Sequence, residues 1–185
     1  YLLKGWYSHS NGHTYYSLYD NNNKWQGYVN ADAVVKSENQ AGIWHQTNEY
    51  VTVTKNYYST YSDFNFKLLG STKNMLNKTY HLQGWYHHFN GNRYYSLYDS
   101  NNKWQGYVNA NAVTKAKNQG GIWHKTNEYG TITKNYYSTY SDFNFKTRGH
   151  TKNMMNKTYH LQGWYHHLNG LKYYSLYDKN NNWQG

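Results

Sequence analysis

The sequence predicts an all-β protein built from tandem small modules. The segment that opens at Gly5 with GWYSHSNGHTYYSLYDNNNKWQG recurs with few changes from Gly84 and from Gly163, which gives a repeat of 79 residues. Short runs rich in Tyr, Val and Thr alternate with Asn- and Gly-containing turn signals, and no helical period is sustained. Self-similarity at a fixed period marks an array of small structural units, and such arrays are typical of binding along an extended partner.

The repeat divides the 185 residues into one complete copy and two partial ones. We expect the chain to be a piece of a longer array; the alternative is that the partial ends pair with each other or with another chain. Trp44 and Trp123 are expected to pack between consecutive modules. The predicted copies are 1–35, the C-terminal part of a module; 36–114, with a linker at 36–50 and a folded unit at 51–114; and 115–185, with a linker at 115–129 and a folded unit at 130–185 without its closing strand.

Within the complete copy, each element has a local signal. The alternation of apolar and polar residues at 51–54 predicts a strand, and the region 73–77 has the character of a short turn. Two aromatic-rich runs, 84–89 and 93–98, are separated by Asn90-Gly91, which predicts a hairpin with a type I′ turn because both central residues of that turn need positive φ. Several short strands in a unit of this size predict a small barrel or sandwich.

The order of motifs resembles a known family. A Tyr- and Ser-rich loop at 56–61, the segment MLNKTYHLQG at 75–84, the aromatic hairpin at 85–98 and WQGYVNA at 104–110 resemble bacterial SH3-like (SH3b) modules. The likeness is to the GW-type modules of Gram-positive surface proteins and autolysins, although the closing pair here is Gly106-Tyr107 in place of Gly-Trp. The resemblance implies small SH3-like β-barrels that attach a secreted or cell-surface protein noncovalently to the cell wall.

Composition limits the partner and the chemistry. Nineteen Lys and Arg against nine Asp and Glu give a net charge of +10, spread along the chain, which favours an anionic polymer such as a teichoic acid or an acidic polysaccharide. The absence of cysteine excludes disulfides, thiolate metal sites and cysteine nucleophiles. No apolar run approaches the roughly 20 residues that span a bilayer, so we expect no membrane span.

Aromatic side chains are too numerous for a small core. Consecutive tyrosines on a strand point to opposite faces, so some rings must reach the surface, where Tyr and Trp stack on sugars or on polyol phosphates. Trp85, Tyr107 and one tyrosine of each pair are expected in the core. Lys103 precedes Trp104, and a lysine next to a large ring could bind a phosphate. The alternative is an ordinary Asn-rich loop with a solvated lysine. In the third copy Asn182 stands at the position of Lys103. The candidate ligand-binding residues are Tyr57, Tyr58, Tyr61, His88, Arg93, Lys103, Trp104, Tyr136, Tyr137, Tyr140, His167 and Trp183.

Nothing in the sequence indicates catalysis, so we expect a binding protein with no catalytic residue, no cofactor and no metal. His87 and His88 are adjacent on a predicted strand and diverge, and no His-Glu-x-x-His, phosphate loop or nucleophile elbow occurs. The interleaving of Lys and Tyr permits nucleic-acid binding, but without a recognition motif we do not expect it. The alternative to wall binding is a structural stalk or a self-associating adhesin fibre that binds no wall polymer.

Overall fold

The computed structural model describes all 185 residues, and its only regular elements are antiparallel β-strands and 3₁₀ turns of three or four residues. The all-β prediction is confirmed. None of the helical turns is long enough to cross a membrane. The first partial copy forms a three-stranded meander of β1 (Leu2–Ser8), β2 (Thr14–Tyr19) and β3 (Trp25–Asn30).

The complete copy forms one open sheet. Its seven strands pair in the order β10-β4-β7-β8-β9-β5-β6, so β10 and β6 are edges that do not pair with each other. The sheet is therefore not closed into the predicted barrel, and the SH3-like assignment stays a prediction. The strands are β4 (His45–Val53), β5 (Ser59–Tyr61), β6 (Leu68–Ser71), β7 (Thr79–His87), β8 (Arg93–Tyr98), β9 (Trp104–Asn109) and β10 (Val113–Ala116).

The third copy repeats the pairing of the second. His124 lies opposite Trp164 as His45 lies opposite Trp85, and the β4–β7 and β11–β14 registers shift at equivalent positions. Strands β4 and β11 begin inside the predicted linkers 36–50 and 115–129, which are therefore shorter than predicted. The remaining strands are β11 (His124–Thr131), β12 (Ser138–Tyr140), β13 (Thr147–His150), β14 (Thr158–His166) and β15 (Lys172–Tyr177).

The core of the complete module lies on one face of its sheet. Leu82, Leu97 and Val108 come from three neighbouring strands and are fully buried. Trp85 packs against this cluster, as predicted, whereas Tyr107 does not join it. Tyr107 precedes Val108, and successive side chains of a strand point to opposite faces. The full core is Val51, Val53, Met75, Tyr80, Leu82, Tyr95, Leu97, Val108 and Ala112.

The hairpin between β7 and β8 is confirmed, but its turn differs from the prediction. Gly91 has a φ of 84°, whereas Asn90 does not have positive φ, so the turn is not type I′. The loop closes instead through a bond from the His88 backbone N–H to the Asn92 carbonyl (2.9 Å). The Asn90 side chain also accepts from the Asn92 N–H (2.9 Å), which is the local bonding that makes Asn common in turns.

The second linker docks on the module before it. The Ile122 N–H donates to Thr52 Oγ1 (3.1 Å), and the Thr52 and Thr79 hydroxyls bond to each other (3.0 Å). Gly121 has a φ of 89°, and a Cβ there would lie 2.1 Å from Thr79 Oγ1, so the contact requires glycine. Thr52 is a polar residue of the predicted alternation at 51–54, yet it is fully buried. We call the contact of Gly121 and Ile122 with Thr52 and Thr79 the junction.

The two tryptophans of the linkers do not lie at the junction, so that expectation is wrong. Trp44 packs on Gly84 and Trp123 packs on Gly163, each within the module that it opens. A glycine without a Cβ leaves room for the indole on the sheet, and this space is only visible once β4 and β7 are paired.

Candidate functional site

A continuous row of five aromatic rings crosses the complete module. Its ring centroids are 5.2 Å apart for Trp44 and Tyr86, 4.8 Å for Tyr86 and Phe64, 4.3 Å for Phe64 and Tyr107, and 5.1 Å for Tyr107 and Trp104. These spacings are typical of favourable edge and offset-stacked contacts. We call these five residues the aromatic row. Its members come from the start of β4, from β7, from the β5–β6 loop and from β9.

Both ends of the aromatic row are held in place. A Cβ on Gly84 would lie 2.0 Å from Trp44 Cζ2, so the indole of Trp44 rests directly on the backbone of β7. At the other end, Trp104 Nε1 donates to Ser96 Oγ (2.9 Å). Trp44 nevertheless remains 41% exposed. The other four rings are half-buried, so it is chiefly the Trp44 end of the row that presents an oriented apolar surface to solvent, the kind of surface that a sugar ring or a polyol chain contacts.

One tyrosine of the row is kept neutral. Burial, reinforced by the neighbouring Tyr86 hydroxyl, raises the pKa of Tyr107 to about 12. A phenol that keeps its proton across the physiological range can donate a hydrogen bond to a ligand as well as pack against it.

Parts of the aromatic row recur in the other copies. In the first copy, Tyr7 and Tyr28 are 5.3 Å apart and Tyr28 and Trp25 are 5.4 Å apart, with Trp25 Nε1 bonded to Ser17 Oγ (3.1 Å). All three of these rings are at least half exposed. In the third copy, Tyr165 contacts both Trp123 (5.2 Å) and Phe143 (4.7 Å), and Trp183 bonds to Ser175 (2.9 Å).

Trp44 also lies at one end of a shallow groove of about 500 Å³ on the same sheet. We call it the amide groove because Asn and Gln side chains dominate its polar lining. The third module has the same groove, with a volume of about 540 Å³. The linings are Trp44, Gln46, Thr47, Asn48, His81 and Gln83 in the complete module, and Trp123, Lys125, Thr126, Asn127, His160 and Gln162 in the third.

A chain of side-chain hydrogen bonds fixes the floor of the amide groove. Gln83 Nε2 donates to His81 Nδ1 (3.3 Å) and to Asn102 Oδ1 (2.5 Å). His81 Nε2 then donates to Asn48 Oδ1 (2.6 Å). Burial lowers the pKa of His81, which favours the neutral imidazole that this pattern needs. Three elements, β4, β7 and the β8–β9 turn, are thereby joined across the sheet.

The same chain of bonds recurs in the third module. Gln162 Nε2 donates to His160 Nδ1 (3.5 Å) and to Asn181 Oδ1 (2.6 Å), and His160 Nε2 donates to Asn127 Oδ1 (2.6 Å). The two grooves therefore differ chiefly at one lining position, Gln46 in one and Lys125 in the other.

Five of the predicted ligand-binding residues adjoin the aromatic row or its counterpart in the third copy. Trp104 belongs to it, and Lys103 is exposed beside it with its backbone N–H bonded to Asp99 (3.0 Å). Tyr61 is half-buried against Phe66 (5.0 Å). In the third copy, Tyr140 repeats this contact with Phe145 (5.1 Å), and Trp183 carries Arg148 over its ring at 4.8 Å.

Five others lie away from the row. The rings of Tyr57 and Tyr58 stack on each other at 4.9 Å, with Tyr57 71% exposed and Tyr58 against the core. Tyr136 and Tyr137 form the same pair at 4.6 Å. The Arg93 guanidinium lies over Trp85, 4.1 Å from the ring centroid, which is a cation–π contact within the module. These tyrosine pairs therefore form a second exposed surface, separate from the row.

His88 and His167 are placed differently from the expectation. Each is only 3% exposed, and the His88 ring is enclosed by Phe64, Phe66 and Tyr94. Its Nδ1 accepts from the Asn90 N–H (3.0 Å), while Nε2 is buried without a hydrogen-bond partner. Burial lowers the pKa of both imidazoles. Side chains enclosed in this way do not contact a surface polymer, which corrects their assignment to ligand binding.

Sequence reasoning missed the residues at the centre of the site. The sequence predicts Trp44 as a contact between modules and Tyr107 as core, and it gives no local signal for Tyr86, His81 or Gln83. The signal that could have found them is the repeat itself, because His81, Gln83 and Gly84 recur unchanged as His160, Gln162 and Gly163. No group of three or more His, Asp or Glu side chains is arranged to hold a metal ion.

Comparison with known proteins finds likenesses among solved structures alone. No protein-family model matches the chain, and no curated protein matches it. A crystal structure assigned as an autolysin from Listeria monocytogenes is 18% identical to this chain, with a TM-score of 0.39; the likeness covers 93% of this chain and 72% of that one.

Proposed function

We propose that this protein binds a bacterial cell-wall or surface polymer noncovalently through its tandem modules, and that it does so without catalysis. The observation that carries this proposal is the aromatic row of the complete module, parts of which recur in the other two copies and whose Trp44 end, like Trp123, is exposed. A row of exposed rings is costly to keep in water unless it meets a partner. Teichoic acid, peptidoglycan and other glycans all present the mixture of apolar faces and polar groups that such a row contacts.

Repetition and charge support a long partner. Each shallow site is expected to bind weakly, but neighbouring modules on one chain raise the effective concentration of each other's sites. The net charge of +10 attracts an anionic polymer, and the exposed Lys103 directly precedes Trp104 in the chain. This proposal, together with the resemblance to SH3-like wall-binding modules, supports a protein of the cell surface that anchors a larger surface protein or wall hydrolase.

A pull-down on isolated Gram-positive walls tests the proposal. The walls are stripped in steps of teichoic acid, of protein and of non-peptidoglycan glycan, and the bound protein is measured after each step at low and at moderate salt. Loss of binding with teichoic acid, and weakening by salt, identify the phosphate polymer, because exposed charges are screened over about 8–10 Å at physiological ionic strength. Unchanged binding identifies peptidoglycan. No binding to intact walls contradicts the proposal.

The junction favours a second candidate, a structural stalk. A linker that is hydrogen-bonded to Thr52 and shaped around Gly121 holds two modules in one orientation, which is what a projecting stalk needs. Small-angle scattering separates the two functions when it is combined with the wall assay. A stalk gives rigid particles that leave walls unbound, whereas the proposed binder is retained on walls.

A further inference from the structure

We propose that the amide groove is a subsite for a neutral glycan that carries acetamido groups. This inference rests on the proposed function, because it names the chemical class that one part of the binding surface takes. The proposal applies to both grooves, the one beside Trp44 and the one beside Trp123.

The first argument is the set of hydrogen-bonding groups left free in the groove. The chain of bonds from Asn48 through His81 and Gln83 to Asn102 uses one oxygen or nitrogen of each amide. Gln83 Oε1 therefore remains as an acceptor, and the Nδ2 groups of Asn48 and Asn102 remain as donors. Acceptor and donors are held on a rigid sheet, so a ligand meets them already oriented.

An acetamido group matches this set. Its N–H donates to an oxygen placed as Gln83 Oε1 is, and its carbonyl accepts from an N–H₂ placed as that of Asn48 is. Its methyl group and the C–H face of the sugar ring are apolar and pack on an indole, which Trp44 supplies at the end of the groove. Sugar hydroxyls, which both donate and accept hydrogen bonds, pair with the amide of Asn102 and with Thr47.

The second argument is charge. The groove of the complete module is lined by no charged side chain, and the nearby Glu49 carboxylate is paired with Lys115 Nζ (2.6 Å). A phosphate placed there would lose water without gaining a cation. The third module carries Lys125 at the position of Gln46, yet it keeps the same amides and the same bonds. A function shared by both grooves therefore belongs to the amides and not to the lysine.

The third argument is repetition of an unusual arrangement. Trp44 and Trp123 each lie on a glycine, and a Cβ on either glycine would come within 2.0 Å of the indole. The approach is the same in both modules, and each indole stays 41% exposed above the groove. The exposed ring and the amide floor thus form one unit, present twice.

The test is a titration of the ¹⁵N-labelled full chain, followed by NMR, with the tetramer of N-acetylglucosamine and separately with a short glycerol phosphate oligomer. The tetramer is expected to shift the side-chain amide signals of Asn48, Gln83, Asn127 and Gln162, with an affinity that is insensitive to salt. The variant Q83A/Q162A is expected to weaken tetramer binding about tenfold, since each site loses a hydrogen-bonding group. The matched control Lys73→Gln, at an exposed residue outside both grooves, leaves tetramer binding unchanged.

Three results would overturn the inference: no shift with the tetramer, shifts at these amides only with glycerol phosphate, or full tetramer affinity in Q83A/Q162A. If that variant does not fold, the shift map of the unmodified chain decides. Wall binding is measured in parallel on the same protein. If the protein binds walls but not the tetramer, the acetamido subsite is wrong and the proposed function stands. If it binds the tetramer but not walls, wall anchoring is wrong and the subsite stands.

Discussion

Replacing Gly84 and Gly163 with alanine is the sharpest perturbation of the binding surface. A Cβ on Gly84 would lie 2.0 Å from Trp44 Cζ2 and 2.3 Å from Cη2, whereas ordinary contact begins near 3.4 Å. The indole must therefore move by about 1.4 Å or swing into solvent. Neither glycine has positive φ, so alanine brings no backbone strain of its own.

The expected cost follows from overpacking. Extra methyl groups in a packed site cost about 1–3 kcal/mol, which corresponds to roughly 5–150-fold if all of it appears in binding. We expect G84A/G163A to lose wall affinity within this range. The module stays folded, because Trp44 is not part of the core. Pull-down on walls gives the affinity, the Trp44 and Trp123 indole signals in ¹H–¹⁵N spectra give the ring movement, and thermal unfolding gives the stability.

The chain supplies the matched control at Gly5, which is the equivalent glycine of the first copy. A Cβ at Gly5 meets nothing within 4 Å, so Gly5→Ala should leave affinity and spectra unchanged. If G84A/G163A moves both indole signals and still binds walls as tightly as Gly5→Ala, the aromatic row is not the contact surface. If the indole signals stay in place, the packing argument itself is wrong.

Three further predictions follow from the junction and from the buried ionisable groups. Gly121→Val should separate the modules, which solution scattering would record as a larger radius of gyration. Gly42→Val is the control, because Gly42 has a similar positive φ (84°) but does not face a threonine pair, so this variant should leave the radius of gyration unchanged. Equal effects of the two variants would refute the junction. Because burial lowers the pKa of His88 and His167 below the usual value of 6.5, the unfolded chain binds more protons in acid, and stability should fall as the pH drops through and below that value. The variant H88L/H167L should show a smaller pH dependence of Tm between about pH 7 and 5, and an unaltered slope would contradict this. Burial raises the pKa of Tyr80 and Tyr107 to about 12. The stability of the fold should therefore decrease as the pH rises above about 10, where tyrosines of the unfolded chain release their protons first. An absorbance titration in which every tyrosine ionises near pH ~10 while the protein is still folded would count against this prediction.

Features that depend on local sequence could be predicted. The β7–β8 hairpin follows from two aromatic runs around Asn90-Gly91, and the divergence of the adjacent His87 and His88 side chains follows from the period of a strand. The type I′ turn failed because the Asn90 and His88 side chains bond the backbone of their own loop and favour another conformation. The closed barrel failed because strand pairing between distant edges has no local signal.

The candidate site could be predicted only in kind. A surplus of aromatic residues required exposed rings, and Trp104, one of the predicted ligand-binding residues, belongs to the aromatic row. The choice among the others depended on contacts between residues far apart in sequence. Phe64 and Phe66 fold over His88 and remove it from the surface, while the β5–β6 loop that carries them also supplies Phe64 to the aromatic row.

The amino-acid sequence by itself determined the 79-residue repeat, the all-β class and the need for exposed aromatic surface, because copying, alternation and composition are properties of the linear chain. Only the tertiary structure decided that Trp44 rests on Gly84, that Thr52 is buried beneath Ile122, and that His81, Gln83 and Asn48 share one groove. Those contacts depend on the register between β4 and β7 and on the docking of one module's linker on another. Register and docking are fixed by packing over the whole sheet, and no short stretch of sequence encodes them.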